Sequence, residues 1–198
     1  HRVDRRQRQM CIRDSFKPVK TLSGAPWTSL VRAIGVADNA DIFLGDALNL
    51  ASGLAAVAAS NDASLLGVAV GFGKFDKDGR TPFGPYNPDN LSTRFYDDSA
   101  STHTEWCVYY VPFDDVIFEA QTATALTKVV GDTVDLLATA GNTTTGISAQ
   151  EITTSSNADF TVVEVPVMPD NDPTAVWGRY WVMAVSYTHL TLPTIYSV

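Results

Sequence analysis

The segment that decides the fold lies between residues 42 and 71 and holds two apolar blocks, IFLGDALNL (residues 42–50) and LLGVAVG (residues 65–71). In the first block, Gly45-Asp46 divides two short apolar runs. Glycine adopts the positive φ that a sharp bend requires. A polar break over residues 61–64 separates the blocks, and short apolar runs bounded by turn residues are typical of strands. The segment therefore predicts three strands, with a tight turn after the first and a polar spacer before the third.

A second Gly-Asp element occurs further along the chain. Residues 130–136 (VGDTVDL) repeat the pattern of residues 44–50 (LGDALNL), with Gly-Asp placed ahead of an alternating apolar pair. A pattern that recurs within one chain indicates related structural units. We interpret the repetition either as the same strand–turn pattern used twice or as two related β-modules.

Five further segments have the composition of strands, namely residues 27–36, 106–111, 116–121, 160–167 and 177–185. A short helix is the alternative for the first of them. In residues 106–111 both alternating faces are apolar, which indicates a strand buried on both sides. We expect an entry loop before residue 27, and a loop with one edge strand over residues 148–158, which are too polar for a core.

These segments predict an all-β fold, a compact β-barrel or sandwich of about eight to eleven short strands with one long irregular loop. The abundance of Thr, Val, Ala, Gly and aromatic residues favours strands over surface helices. The apolar positions of the strands predict the core, which we assign to Ile42, Leu44, Leu48, Leu66, Val68, Trp106, Val108, Tyr110, Ile117, Val134, Leu136, Val162 and Trp181.

A single domain over residues 16–185 accounts for most of the 198 residues, with residues 72–105 as a long loop or insertion. The two flanks differ from this body. Residues 1–15 (HRVDRRQRQMCIRDS) cluster arginine, and residues 186–198 (SYTHLTLPTIYSV) carry no charge. Both resemble peptides translated from sequencing-adapter DNA on assembled metagenomic reads. We therefore interpret them as non-native, the alternatives being a basic nucleic-acid arm and a terminal strand.

The net charge of −8 hides an uneven distribution. Residues 1–15 hold five of the 14 basic residues and two of the 22 acidic ones, so the rest carries nine basic against 20 acidic residues, a net charge of −11. An acidic body argues against nucleic acid and anionic membranes as partners. The acidic charge is compatible with a soluble surface protein or with docking on a basic partner.

The motifs of the common catalytic strategies are missing from the sequence. It has no G-x-S-x-G element, P-loop or dinucleotide fingerprint, and its two cysteines, Cys11 and Cys107, belong to no zinc pattern. We expect a protein that is not an enzyme, without catalytic residues, a bound metal or a cofactor. A hydrolase using loop carboxylates such as Asp98 and Glu105 is the least favoured alternative.

The long loop contains the candidate binding residues. Asp76 and Asp78, in the Asp-x-Asp-Gly run of residues 76–79, are oxygen ligands of the kind calcium takes, although a hairpin turn is the favoured interpretation of that run. Tyr86, Tyr96 and Trp106 are candidate stacking groups for a sugar, although a place in the β core or in an interface is the favoured interpretation of such aromatics. The candidate binding surface as a whole consists of Tyr86, Phe95, Tyr96, Asp97 and Asp98.

The order of elements resembles small β-rich virion proteins of tailed bacteriophages, especially capsid decoration and head-associated proteins of marine phages. The residues that carry the resemblance are LGDALNL (44–50), LGVAVG (66–71), FEAQ (118–121), VGDTVDL (130–136), TGISA (145–149) and PDND (169–172). The long loop departs from the simplest decoration proteins.

The resemblance implies a non-catalytic structural protein, made in the host cytoplasm and located on the capsid surface of the virion. Its partner would be the lattice of the major capsid protein, and a homo-oligomer, with a trimer favoured, would be its state. A surface-displayed module that binds carbohydrate or calcium is the alternative.

Overall fold

A computed structural model describes residues 15–38, 40–60, 62, 64–75, 82, 84–87, 93–99, 101 and 103–185. The described residues form strands and two short 3-10 helices, Trp27–Leu30 and His103–Glu105, with no α-helix among them. The predicted all-β class is confirmed. The thirteen strands are β1 (Lys17–Thr21), β2 (Arg32–Gly35), β3 (Ile42–Phe43), β4 (Ala47–Ala51), β5 (Leu54–Val57), β6 (Leu65–Lys74), β7 (Phe95–Tyr96), β8 (Trp106–Pro112), β9 (Val116–Gln121), β10 (Thr133–Leu137), β11 (Glu151–Thr154), β12 (Phe160–Glu164) and β13 (Arg179–Ala184).

The strands form three antiparallel sheets. A six-stranded sheet has the order β1-β9-β13-β12-β10-β11, a five-stranded sheet the order β2-β8-β6-β4-β5, and β3 pairs with β7. Both large sheets curl, as two parallel bridges show. In the five-stranded sheet, Val36 after β2 bridges to Ala55 of β5. In the six-stranded sheet, Thr122 after β9 bridges to Ile152 of β11. Neither closes into a barrel in the part of the chain that the structure describes, and the architecture is sandwich-like.

The two curled sheets share one topology. The order β2-β8-β6-β4-β5, here called the first module, matches the order β9-β13-β12-β10-β11, here called the second module, strand for strand. The registers agree as well: Leu50 opposes Ala55 in the first module, and Leu136 opposes Ile152 in the second. The bridging residues 36 and 55 correspond to residues 122 and 152.

The Gly-Asp turns have identical hydrogen bonding in the two modules. In the first, the Phe43 amide donates to the Asp46 carboxylate at 2.8 Å and the Gly45 amide donates to the Ala69 carbonyl at 2.8 Å. In the second, the Val129 amide donates to the Asp132 carboxylate at 2.9 Å and the Gly131 amide to the Val162 carbonyl at 2.8 Å. Both glycines have positive φ, +87° and +96°. The sequence echo therefore reflects two related β-modules.

Two apolar cores lie on the two faces of the five-stranded sheet. β6 shows how one strand serves both, since Val68 packs into the first core and its neighbour Ala69 into the second. The first core fills the space between the two large sheets and includes four phenylalanines, Phe16, Phe113, Phe118 and Phe160. The second core lies between the five-stranded sheet and the β3–β7 pair, with Ile42 and Tyr96 fully buried.

Nine of the thirteen predicted core residues are buried, and Leu44, Leu66, Trp106 and Trp181 are only half-buried. Trp181 and Trp106 lie beneath lysines, with Lys20 Nζ 4.6 Å and Lys74 Nζ 5.1 Å from the respective ring centres. Each indole is therefore covered by a cation at the surface, where its ring face attracts the charge.

Several predicted boundaries were wrong. Residues 17–21, expected in a loop, form edge strand β1, where Pro18 is tolerated and a bulge separates it from Lys20. The alanine-rich β5 was missed, and the expected strand over residues 27–36 begins with a 3-10 helix. The expected long loop is shorter, because β6 continues to Lys74 and β7 lies inside it. The expected edge strand within residues 148–158 is confirmed as β11 at the sheet edge.

The described residues contain no helix that is both long and apolar enough to cross a lipid bilayer. Of the two flanks, residues 1–14 and 186–198 lie outside the described residues. Ser15 is buried, and its side chain lies against Gly45 so closely that there is no room for a Cβ on Gly45. Gly45 therefore serves both the positive φ of the turn and this close approach.

Candidate functional site

The candidate calcium ligands Asp76 and Asp78 lie outside the described residues. Within the described ranges, no three His, Cys, Asp or Glu side chains come together in a way that could hold a metal ion.

The two residues of β7, Phe95 and Tyr96, pair with β3, and Tyr96 lies in the second core. Tyr96 is 0% exposed, and its hydroxyl donates to Asp98 Oδ1 at 3.2 Å. Burial, followed by the hydrogen bond to Asp98 and the charges of Asp98, Asp38 and Asp41, raises the pKa of Tyr96 to about 12. Phe95 stacks on Phe43, with ring centres 5.2 Å apart. Tyr96 is therefore not accessible for stacking on a sugar, which corrects the role expected of it, while Phe95 is half-buried against Phe43.

Asp97 and Asp98 hold the turn that follows β7. Asp97 Oδ1 accepts hydrogen bonds from the Ser99 amide at 3.0 Å and the Ser99 hydroxyl at 2.7 Å. The Asp98 amide donates to Asp41 Oδ1 at 2.9 Å. A carboxylate that accepts from the backbone two residues on stabilises a turn. Their positions indicate a local structural role.

Tyr86 and Trp106 do come together, in a cleft of about 400 Å³ on the first module. Tyr109 joins them, its ring centre 5.8 Å from that of Tyr86 and its hydroxyl 2.6 Å from the Gly84 carbonyl oxygen to which it donates. Lys74 lines the same cleft. This group, Lys74, Tyr86, Trp106 and Tyr109, is called the aromatic cleft. It presents ring faces beside one cation.

Two glycines of β6 make room for the aromatic cleft. A Cβ on Gly71 would lie 3.1 Å from the Tyr86 ring, and a Cβ on Gly73 would lie 2.8 Å from the Tyr109 ring. Sequence reasoning missed Tyr109 as a cleft residue. The available signal was the Gly-x-Gly spacing in a strand, which marks close approach of another group to one face.

Glu105, the second carboxylate named for the hydrolase alternative, forms an ion pair on the surface, and so do the glutamates of β9 and β12. Glu105 contacts Lys74 at 3.4 Å, and Glu164 contacts Lys20 at 3.2 Å. Glu119 accepts from the Trp181 indole at 3.4 Å and lies 3.8 Å from Arg179. Each of these acids therefore contacts a different partner on the sheet surface.

Exposed apolar side chains gather at one end of the six-stranded sheet. They precede β10, follow β12 and precede β13, and the antiparallel registers place these three strand ends together. We call them the apolar end: Val129 (62% exposed), Val130 (63%), Val167 (101%), Val176 (45%) and Trp177 (52%). Adjacent exposed apolar side chains mark interaction surfaces.

Two buried aspartates have opposite pKa shifts. Asp46 is 1% exposed, and its burial raises its pKa from 3.8 to about 6, against the influence of Ser148 and the Phe43 amide. Asp135 is also buried, which by itself raises the pKa. The amides of Ser156 and Asn157 and the hydroxyls of Ser155 and Ser156 outweigh burial and lower it to about 2. Asp135 thus anchors the β11–β12 connection.

Comparisons with protein-family models, with curated proteins and with solved structures give no significant match to this chain.

Proposed function

We propose that the protein is a non-catalytic virion structural protein that binds and stabilises the outer surface of a phage capsid, docking through its apolar end. The observation that carries the proposal is the exposure of Val129 and Val130 at a turn whose counterpart is covered elsewhere in the same molecule.

The first module provides the precedent for covering such a turn. Leu44, the counterpart of Val130, forms a parallel bridge with Ile147 of the connection between β10 and β11. Its amide donates to the Gly146 carbonyl at 3.3 Å, and its carbonyl accepts from the Ser148 amide at 2.9 Å. Backbone pairing with residues 146–148 therefore covers this turn in the first module. We infer that a segment of the capsid lattice covers the second turn in the same manner.

Charge supports the same partner. Beyond residue 15 the chain carries nine basic against 20 acidic residues, a net charge of −11, which favours a basic lattice surface. Binding driven partly by charge weakens as salt screens contacts beyond about 10 Å at 0.1 M. Homo-oligomerisation, with a trimer at local threefold points, is part of the proposal and follows from the phage resemblance.

Co-sedimentation with shells of the phage's own major capsid protein tests the proposal. We expect the wild type to co-sediment at low salt and the double variant Val129→Ser/Val130→Ser to lose most of the binding. Leu22→Ser is the matched control, because Leu22 is 59% exposed at the opposite end of the same sheet. Equal binding by all three proteins, or no binding by the wild type, would contradict the proposal.

The aromatic cleft favours a second candidate, a surface-displayed carbohydrate-binding module. Tyr86 would supply a stacking face and Lys74, which lies over the Trp106 ring, a hydrogen-bond donor. A glycan array with the wild type and Tyr86→Ala separates the two functions. A glycan signal that disappears in Tyr86→Ala would favour the carbohydrate-binding function. An array without signal would retire that function and leave the capsid role as the proposal. Calorimetry with calcium tests the ion-binding version, for which Asp76 and Asp78 stay predicted ligands.

A further inference from the structure

The Gly-Asp turn of the first module is covered by a connection that belongs to the second module. In the first module, Ser52 and Gly53 alone join β4 to β5, whereas residues 138–150 join the corresponding strands β10 and β11. Within this longer connection, residues 146–148 (Gly-Ile-Ser) pair with Leu44 and are here called the covering segment. One module therefore supplies the cover for the turn of the other.

The covering segment uses two backbone hydrogen bonds and one aliphatic residue. Ile147 forms a parallel bridge with Leu44. The Leu44 amide donates to the Gly146 carbonyl at 3.3 Å, and the Leu44 carbonyl accepts from the Ser148 amide at 2.9 Å. Both backbone groups of Leu44 are thereby satisfied, and Leu44 is half-buried.

The same connection also helps to cover Phe43, the residue before Leu44. Gly141 lies so close to the Phe43 ring that there is no room for a Cβ on Gly141, and Phe43 is only 5% exposed. A turn within the connection orders this arrangement, since the Gly146 amide donates to the Asn142 carbonyl at 2.7 Å and the Asn142 amide to the Ile147 carbonyl at 3.0 Å. Residues 141–148 thus form a local unit that covers both apolar residues.

The second turn leaves the corresponding groups open. Val129 and Val130, the counterparts of Phe43 and Leu44, are 62% and 63% exposed. The Val129 amide and carbonyl are both bonded to Asp132, as in the first turn. Among the described residues, neither backbone group of Val130 forms a hydrogen bond. These are the two groups that the covering segment satisfies on Leu44.

A second copy of this chain has no described segment left to cover the second turn in this way. Its first module has only Ser52 and Gly53 at the corresponding connection. Its own covering segment is already paired with its own Leu44. The segment that covers Val130 therefore comes from a different protein.

We propose that the second turn binds an extended segment of a partner protein with a central aliphatic residue, in parallel pairing with Val130. A partner carbonyl would accept from the Val130 amide, and the partner amide two residues further on would donate to the Val130 carbonyl. The aliphatic side chain between them would lie beside Val130. Addition of an extended segment to open backbone groups is a common mode of protein recognition. The inference rests on the proposed docking through the apolar end and names the segment that docks there.

A capped peptide of residues 141–149 (GNTTTGISA) is the probe, because this sequence already covers the equivalent turn. NMR titration of the intact protein should show a saturable shift and slower hydrogen exchange of the Val130 amide. The Leu44 amide is the internal control and should not change, since it already donates to Gly146. We expect a dissociation constant on the order of 1 mM, because a linear peptide loses conformational freedom on binding.

Variants of the peptide and of the protein test the two parts of the contact. In the peptide, Ile147→Ser should weaken binding at least about tenfold through lost apolar burial, and Ser148→Pro should abolish it by removing the donor amide. In the protein, Val129→Ser/Val130→Ser should weaken binding, whereas Leu22→Ser, at the opposite end of the sheet, should not. No saturable shift at Val130, or equal binding by the Ile147→Ser peptide, would overturn the proposal.

Two further results separate the possible occupants and functions. A Val130 shift that depends on the concentration of the protein alone would mean that a second copy covers the turn, and it would overturn the proposal. Co-sedimentation with capsid shells that depends on Val129 and Val130, without peptide binding, would defeat this inference and leave the capsid role standing. Peptide binding without co-sedimentation would support the inferred segment and defeat the capsid role.

Discussion

Replacing Asp46 by asparagine should change how the stability of the protein depends on pH. In the folded chain, burial raises the pKa of Asp46 from 3.8 to about 6. Between these two values the folded state binds a proton that the unfolded state does not. The contribution of Asp46 to stability is therefore full below pH 3.8 and is lost as the pH rises through 6. An asparagine side chain at this position is neutral at every pH and cannot show this loss.

The size of the effect follows from the shift. Each pKa unit corresponds to about 1.4 kcal/mol, so a shift from 3.8 to about 6 corresponds to roughly 3 kcal/mol. The side-chain oxygen of asparagine can still accept the Phe43 amide, as Oδ2 of Asp46 does at 2.8 Å. We therefore expect Asp46→Asn to gain roughly 3 kcal/mol relative to the wild type between pH 4 and pH 8.

Urea unfolding of both proteins across that pH range measures the difference directly. The other ionisable groups are the same in both proteins, so their contributions to the measured difference largely cancel. Asp132→Asn controls for the exchange of carboxylate for amide in an identical turn. A difference between Asp46→Asn and wild type that stays constant from pH 4 to pH 8 would refute this account of Asp46.

Three further outcomes are expected. Asp135→Asn should destabilise the protein by about 2 kcal/mol at pH 7. The lowered pKa of Asp135 contributes stability above pH 3.8, and this stability is lost as the pH falls through 2. Urea unfolding should therefore show that the difference between variant and wild type shrinks in acid. Gly131→Ala should lower the free energy of unfolding by roughly 1–2 kcal/mol, because alanine is strained at the positive φ of this position. Gly45→Ala should lower it distinctly more, because the added Cβ also meets Ser15. Similar decreases in melting temperature for the two variants would contradict this. Deleting residues 1–14 and 186–198 should leave the melting temperature unchanged if these flanks are non-native, whereas a drop of several degrees would show that one of them packs on the body.

Local features of the sequence were enough to predict much of the fold. A Gly-Asp turn is specified by residues that are adjacent in the chain, through the positive φ of Gly45 and the side-chain bond of Asp46 to the amide three residues earlier. The same local pattern at Gly131 and Asp132 indicated a second turn of this kind, and the sheet topology places it in a second module. Alternation in residues 106–111 likewise predicted both buried faces of β8, since a strand has a period of two.

Features that depend on distant partners could not be predicted. The alanine-rich β5 is a strand because β4 pairs with it, and its composition carries little strand preference. Tyr96 looked like an exposed loop aromatic, yet its pairing with Ile42 on β3 buries it in the second core. Pairings of this kind join residues that are far apart in the chain, so their consequences appear only after the sheets have formed.

The two Gly-Asp turns separate what the local sequence determines from what only the tertiary structure determines. The sequence determined both turns, with the same backbone geometry and the same hydrogen bonds. Only the tertiary structure decided that Asp46 is buried at a cavity beneath residues 138–150 while Asp132 stays half-exposed beside the apolar end. The physical reason is that burial and pKa depend on which distant segment covers a turn, whereas the turn itself depends on its own four residues.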